Sequence, residues 1–149
     1  MIGIGSDHRG FKLKEELKKY LKEELNVECE DFGTYSEERV DTLPIVGKLC
    51  KNVQEKNLEK GILICGTGFA MAFTANKFKR IIAVNCVDEF GAKRSREHNN
   101  SNILTLGAEA VDIETAKTIV KAWFETDFLG GRYAERQKML EDLEDENFK

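Results

Sequence analysis

Short apolar runs alternate with longer amphipathic stretches along most of the chain. Residues 61–65 (GILIC) are apolar at nearly every position, which is typical of a strand buried on both faces. Four leucines share one face of a predicted helix over residues 10–25: Leu13, Leu17, Leu21 and Leu25. Further strands are predicted at 2–5, 27–32, 81–86 and 103–106, and further helices at 44–56, 69–78, 89–98, 113–124 and 132–146.

Polar residues and the only proline mark two of these helix starts. Asp41 and Thr42 are candidate caps for the second helix, and Pro44 suits its first turn. Asp112 is expected to cap the helix after the last strand. Five strands separated by helices of ten or more residues predict parallel pairing with right-handed crossovers.

The expected fold class is therefore α/β, a three-layer α/β/α sandwich with a five-stranded parallel sheet and an extra C-terminal helix. No internal repeat or low-complexity linker is visible, so we expect a single domain over residues 1–149, with an acidic tail at about 140–149. In such sheets, ligands bind outside the carboxyl ends of the strands.

The net charge of the chain comes from its C-terminal end. The 149 residues include 23 Lys and Arg against 27 Asp and Glu, and residues 140–149 hold five of the acids and one lysine. The rest of the chain is formally neutral, which argues against a nucleic-acid partner, because such binding needs surplus positive charge. With 41% hydrophobic residues, the chain does not resemble an acidic disordered protein.

The chain shows neither a membrane span nor a targeting segment. No apolar run approaches the ~20 residues that cross a bilayer, and the N-terminal MIGIGSDH lacks a basic segment and an apolar leader. We therefore expect a cytoplasmic protein with no membrane partner. Because the four cysteines form no CxxC pair and there are only two histidines, we expect no metal site.

The segment after the third strand carries the most informative chemistry. Cys65 is followed by Gly66, Thr67 and Gly68 at a strand-to-helix turn, where glycines let backbone amides approach a ligand closely. These amides and the helix N-terminus would stabilise an anion and favour the thiolate of Cys65. The alternative is a buried structural cysteine, a role that also suits Cys29.

Three known loop motifs do not fit this segment. A Walker A loop needs Gly-Lys-Ser/Thr at its end, but Phe69 and Ala70 follow Gly68. Position 71 would have to be glycine in a GxGxxG dinucleotide loop and arginine in a cysteine phosphatase loop, but it is Met71. A cysteine that faces an anion site remains.

Charged and imidazole side chains follow the first strand and the fourth helix. Asp7, His8 and Arg9 come directly after the first strand, and His98 with Asn99 precedes the fifth, so both histidines are expected at the ligand-facing edge. The alternative is that Asp7 only caps a helix and His8 is a solvated loop residue.

Two arginines in the last predicted helix are candidates for phosphate binding. Arg132 and Arg136 are four residues apart and therefore share one face of the helix. A solvated helix face is the alternative, since Glu135 and Lys138 are close in sequence.

Six segments together resemble the ribose-5-phosphate isomerase B / galactose-6-phosphate isomerase family: GSDHRGFKLK, DFGTYS, GILICGTG, ANK, REHNNSNILTLGAE and GGRYAER. They follow the family's order from Met1 to about Met139. The resemblance implies a Rossmann-like subunit, a homodimer or homotetramer with active sites between subunits, no cofactor, and aldose–ketose isomerisation of a small phosphorylated sugar.

The resemblance also implies a role for each site residue. Cys65 would be the base that removes the proton beside the carbonyl to give a cis-enediolate, and His98 would open the furanose ring. Met71 stands where some relatives carry a glutamate base. The other residues would bind substrate. Thr67 and Asp7 would hold the hydroxyl groups, and Asn99 would position the sugar. The backbone amides of Gly66, Gly68, Phe69 and Ala70 would stabilise the oxyanion, and the phosphate would be bound by His8, Arg132 and Arg136.

Several departures from the family pattern concern the substrate. Thr42 and Leu43 replace a sugar-site tyrosine, Tyr133 stands where many relatives have histidine, and Phe69-Ala70 replaces a smaller turn. Conversion of ribose 5-phosphate to ribulose 5-phosphate is the first expectation. The alternatives are a hexose-6-phosphate isomerase of galactose or allose type, or its subunit, and a non-catalytic relative that binds sugar phosphates.

Overall fold

A computed structural model describes residues 1–148 and contains a single five-stranded parallel sheet in this range. The strands are β1 (Ile2–Ser6), β2 (Cys29–Asp31), β3 (Gly61–Cys65), β4 (Ala83–Asn85) and β5 (Ile103–Gly107). Their order is β2-β1-β3-β5-β4, and every neighbouring pair is parallel. The predicted parallel α/β sheet is confirmed.

Helices cover both faces of the sheet and leave one helix outside the core. They are α1 (Phe11–Glu23), α2 (Thr42–Gln54), α3 (Phe69–Ala75), α4 (Glu89–Glu97), α5 (Ile113–Glu125) and α6 (Arg132–Asn147). Buried side chains of α1, α4 and α5 pack on one face, and those of α2 and α3 on the other. Helix α6 has no fully buried residue. The three-layer sandwich with an extra C-terminal helix is therefore confirmed.

Several predicted boundaries were too wide. The edge strands β2 and β4 are only three residues long, because each has a partner on one side alone. Helix α3 ends at Ala75 because the side chain of Asn76 exchanges two hydrogen bonds with the backbone of Ala83. Asp112 caps α5 through the Thr115 amide, whereas Asp41 precedes α2 without a capping bond from its side chain.

The sheet has two edges that matter for function. The carboxyl edge is the end of the sheet where the strands finish, after Ser6, Cys65 and Gly107. The amino edge is the opposite end, where β3 and β5 begin with Gly61 and Ile103. Neither term refers to the edge strands β2 and β4. The central strands are in register, with Gly61 opposite Ile103 and Cys65 opposite Gly107. Within residues 1–148, no helix is both long and apolar enough to cross a membrane.

Candidate active site

Cys65 lies at the carboxyl edge with a backbone amide directed at its sulfur. It is the last residue of β3, its side chain is 6% exposed, and the Gly68 N–H donates to its Sγ at 3.1 Å. The Phe69 N–H turns to the Thr67 Oγ1 at 3.2 Å. An N–H donor to sulfur stabilises negative charge there. Of the loop amides expected to face Cys65, that of Gly68 does so, whereas that of Phe69 bonds to Thr67.

Gly68 is required by the geometry of this loop. It has a left-handed backbone (φ +84°), and a Cβ there would collide with the Asn85 side chain and come within 2.9 Å of the Leu106 carbonyl carbon. The Oδ1 of Asn85 is held at 2.9 Å from the Thr105 Oγ1. Glycine therefore lets the loop close over β5 and turn its amide towards Cys65.

Asp7 and His8 come from β1, which pairs with β3. Asp7 is buried, and its Oδ1 accepts hydrogen bonds from the Arg9 and Gly10 amides at 2.9 and 3.0 Å. These bonds hold the turn that precedes α1 (Phe11–Glu23), whose N-cap residue is Gly10, so Asp7 orders the turn and does not cap the helix itself. His8 is half-buried, and its Nδ1 accepts the Val40 N–H at 3.4 Å. With Nδ1 accepting, the Nε2 carries the proton and can donate to a ligand.

An ion pair that the sequence did not reveal lies over Gly66. Arg9 Nη1 is 3.2 Å from Glu109 Oε1, and both side chains are more than half exposed. A Cβ on Gly66 would lie 3.1 Å from Glu109 Oε2 and 3.2 Å from the Arg9 Cδ. The pair therefore borders the carboxyl edge beside Cys65. Glu109 is held there because its own amide donates to the Gly66 carbonyl at 2.9 Å.

A second cluster surrounds His98 and the start of α6. The His98 ring stacks on the Tyr133 ring, with centroids 4.3 Å apart and an interplanar angle of 10°. The guanidinium carbons of Arg132 and Arg136 lie 5.0 and 5.6 Å from the Tyr133 centroid. His98, Tyr133 and Arg136, together with the exposed Asn99, line a cavity of about 150 Å³. Both arginines thus lie against the same phenol ring, that of Tyr133.

The expectation that both histidines lie at the carboxyl edge is wrong for His98. Helix α4 starts at the carboxyl edge after β4 and runs back, so His98 and Asn99 lie at the amino edge before β5. Cys65 lies at the other end of β3, four residue steps from the amino edge, or about 13 Å along the strand. Within one chain, the expected site residues therefore form two separate groups at opposite ends of the sheet.

The surroundings of the other three cysteines favour the neutral thiol. Burial raises the pKa of the Cys50 thiol to about 12 and those of Cys29 and Cys86 to about 11. All four cysteines are free thiols. Within residues 1–148, no group of three or more His, Cys, Asp or Glu side chains is arranged to hold a metal ion.

Comparison with known proteins gives the same assignment over nearly the whole chain. A family model described as Ribose/Galactose Isomerase matches residues 2–140. The chain is 41% identical to Ribose-5-phosphate isomerase B of Escherichia coli K12 over 96% of this chain and 95% of that protein. It is 38% identical to Ribose-5-P isomerase B of Listeria innocua over 98% of both.

A solved structure extends the likeness to three dimensions. Ribose-5-phosphate isomerase B of Clostridium thermocellum superimposes with a TM-score of 0.95 at 40% identity, over 98% of each chain. The chain therefore belongs to the ribose/galactose isomerase family and is an aldose–ketose isomerase of the ribose-5-phosphate isomerase B type.

Proposed function

We propose that the protein interconverts ribose 5-phosphate and ribulose 5-phosphate, with Cys65 as the base. The observation that carries the proposal is the Gly68 N–H directed at the Cys65 Sγ within a glycine loop at the carboxyl edge. The names of the relatives support the choice of a pentose phosphate.

The side chains at the carboxyl edge can accept and return the protons that the reaction moves. The Cys65 thiolate takes the C2 proton of the open-chain aldose, and the bonding electrons form a C1–C2 enediolate with charge on the carbonyl oxygen. The amide of Gly68 serves the Cys65 sulfur and that of Phe69 the Thr67 hydroxyl, so the charge on the oxygen would fall to the other amides of the 66–70 loop. The thiol then returns the proton to C1, while the O2 proton passes to O1. The Thr67 hydroxyl can relay this proton because it both donates and accepts, and Asp7 holds a neighbouring hydroxyl.

We infer that a complete active site forms between two copies of the chain, because the two groups of site residues lie at opposite ends of the sheet. His98, which would open the furanose ring as an acid–base group, lies about 13 Å or more from Cys65 of its own chain. A second copy that presents its amino edge to the carboxyl edge would supply His98, Asn99, Arg132 and Arg136 to Cys65. The phosphate would then lie between His8 of one copy and the two arginines of the other.

The surface near the carboxyl edge suits such a contact. Five large apolar side chains are more than half exposed there or on the adjoining helices: Leu43, Phe69, Phe73, Val87 and Phe90. Leu43, Phe69 and Phe73 belong to α2 and α3, which pack together on one face of the sheet, and exposed apolar groups on adjoining helices are typical of a protein–protein contact. We infer a homodimer, or a homotetramer built from it.

Complementation between inactive variants tests the shared site. Cys65→Ala and His98→Ala should each abolish most activity. When the two variants are unfolded together and refolded, half of the dimers are mixed, and each mixed dimer holds one intact site. Activity should therefore return to roughly a quarter of wild type, as two-fold symmetry requires. If the mixture stays inactive while each variant refolds and dimerises, the shared site is disproved.

The choice of substrate can be tested with the purified protein alone by assaying it with phosphates of ribose, allose and galactose. Turnover of ribose 5-phosphate with the highest kcat/KM supports the proposal. Preference for a six-carbon phosphate would identify a hexose-6-phosphate isomerase, the alternative that the Thr42-Leu43 departure favours. Binding without turnover of any of the three would identify a non-catalytic relative.

A further inference from the structure

Helix α6 carries three residues of the His98 cluster although the hydrophobic core does not hold it. None of its residues is fully buried, and Leu140 and Leu143 are 43% and 54% exposed. These leucines line a groove of about 430 Å³ with Ile81 and Ile82 rather than filling it. Polar contacts therefore help to fix α6 relative to His98: the Asn100 Nδ2 donates to the Gln137 Oε1 at 3.4 Å near the start of the helix, and a larger group of charged contacts lies further along it.

Arg80 supplies these contacts at the far end of the helix. Its Nη1 lies 2.9 Å from the Glu144 Oε1, its Nη2 lies 2.8 Å from the Asp145 Oδ2, and its Nε is 3.8 Å from the Glu141 Oε2. Its backbone N–H also donates to the Glu144 Oε1 at 3.0 Å. Glu144 is the most enclosed of the three acids, with its side chain 13% exposed. The neighbouring Lys79 adds a weaker pair with Asp145 at 3.5 Å.

The backbone at Arg80 is itself fixed in an unusual conformation. Its φ is +66°, in the left-handed region that favours glycine. The Asn102 Nδ2 donates to the Arg80 carbonyl at 2.8 Å, and the Asn102 Oδ1 accepts the Ile82 N–H at 2.8 Å. Arg80 is thus tied through its backbone to the start of β5 and through its side chain to α6. An arginine kept in a conformation that glycine adopts more readily indicates a role for the side chain.

We propose that Arg80 is a positioning residue that clasps the acidic end of α6 and thereby holds Tyr133 and Arg136 beside His98. The clasp consists of Arg80 on one side and of Glu141, Glu144 and Asp145 of α6 on the other. The inference rests on the proposed function, because it assigns the clasp to the binding of a phosphorylated sugar. It also gives the acidic end of the chain a purpose that its composition does not reveal.

The clasp acts on substrate binding more than on proton transfer. Within one chain, Cys65 lies at the opposite end of the sheet from His98, and the residues of α6 that are proposed for the site bind phosphate and do not move a proton. Loss of the clasp lets α6 shift or fray, so the arginines leave the phosphate for part of the time. We therefore expect KM for the phosphorylated sugar to rise while kcat changes little.

Arg80→Gly is the sharpest test because glycine accepts the φ of +66° without strain, so the variant should fold. We expect KM to rise about five-fold or more and kcat to stay within about two-fold. Lys138→Gln is the matched control: it removes the Lys138–Asp142 pair at 2.8 Å, which lies within α6 and does not connect the helix to the sheet. The control should leave both constants unchanged.

Hydrogen exchange of the α6 amides gives a readout that needs no activity. In Arg80→Gly, exchange over residues 132–147 should accelerate about five-fold or more, while exchange in β3 and β5 stays as in wild type. Glu144→Gln should have a smaller effect of the same kind. Combined with Arg80→Gly it should add little, because both changes remove the same contact.

The outcomes separate this inference from the proposed function. Unchanged KM and unchanged α6 exchange in Arg80→Gly would overturn the clasp. Faster exchange with unchanged KM in an active enzyme would reduce Arg80 to a structural residue and also overturn its positioning role. If wild type itself turned over none of the sugar phosphates, the proposed function would fail, while exchange would still report whether Arg80 holds the helix.

Discussion

The imidazole of His98 lies flat on the phenol ring of Tyr133, with ring centroids 4.3 Å apart and planes 10° from parallel. The two residues are 35 positions apart and meet because α4 and the chain before α6 both end at the amino edge. Aromatic stacking of this kind contributes roughly 0.5–1.5 kcal/mol. It restrains the orientation of the imidazole, and the guanidinium carbons of Arg132 and Arg136 lie 5.0 and 5.6 Å from the centroid of the same phenol ring.

Replacement of Tyr133 should therefore impair ring opening. Tyr133→Ala should lower kcat/KM for the phosphorylated sugar about ten-fold, because His98 loses its stacking partner. Tyr133→Phe keeps the ring and loses only the hydrogen bond from Arg132 to the hydroxyl at 3.0 Å, so a change below about three-fold is expected. Steady-state kinetics of both variants measures the difference. Equal losses in the two variants would show that the stack is unimportant.

Cys65→Ala should remove the base without unfolding the chain. A general base contributes about 10²–10⁴ in rate, so kcat should fall by at least a hundred-fold while KM changes little. The matched control is Cys50→Ala, since Cys50 is buried in α2 and away from the carboxyl edge. Thermal unfolding of both variants would verify their folds. Wild-type kcat in a folded Cys65→Ala protein would show that another group is the base.

Gly68→Ala adds only a methyl group, but it should distort the loop after β3. The φ of +84° is costly for alanine, and the Cβ would meet the Asn85 side chain and the Leu106 carbonyl. The loop must open, which withdraws the N–H from the Cys65 Sγ. We expect kcat to fall about ten-fold or more. Gly47→Ala is the control, because a Cβ there has only ordinary contact with Phe78. A Gly68→Ala protein with unchanged kcat would show that this amide is not needed.

The elements of the fold could be predicted from local patterns, but the distribution of the site could not. The apolar run 61–65 and the leucines of α1 are sufficient to identify a buried strand and an amphipathic helix. The expectation for His98 is wrong because nearness in sequence to β5 does not say which end of that strand is near. Helix α4 runs from the carboxyl edge back to the amino edge, so His98 lies before the start of β5.

Sequence patterns also do not predict ion pairs between residues far apart in the chain. Arg9 and Glu109 are separated by 100 residues, and Arg80 and Glu144 by 64. Neither pair has a fixed spacing that would mark it. The acidic composition of residues 140–149 was visible, yet only the fold brings these acids to Arg80.

Asp31 is expected to control stability through Lys14, whose side chain is completely buried. The Asp31 oxygens accept hydrogen bonds from Lys14 Nζ at 2.7 and 2.6 Å and from Lys18 Nζ at 2.8 Å. Asp31→Asn leaves the buried ammonium without its main counter-charge, so the free energy of unfolding should fall by about 3 kcal/mol. In Glu15→Gln, which removes an exposed partner 3.2 Å from Lys14, the loss should stay below about 1 kcal/mol.

The same pair predicts how stability responds to acid. Burial alone would raise the pKa of Asp31, but hydrogen bonds from Lys14, Lys18 and the Gly33 amide lower it below the ordinary value of 3.8. Because the folded state lowers this pKa, its contribution is complete above the ordinary value and is lost as the pH falls through the folded value. Urea unfolding at several pH values should show the stability gap between wild type and Asp31→Asn narrowing below about pH 4. A gap that stayed constant down to pH 2 would show that Asp31 does not stabilise the fold through its charge.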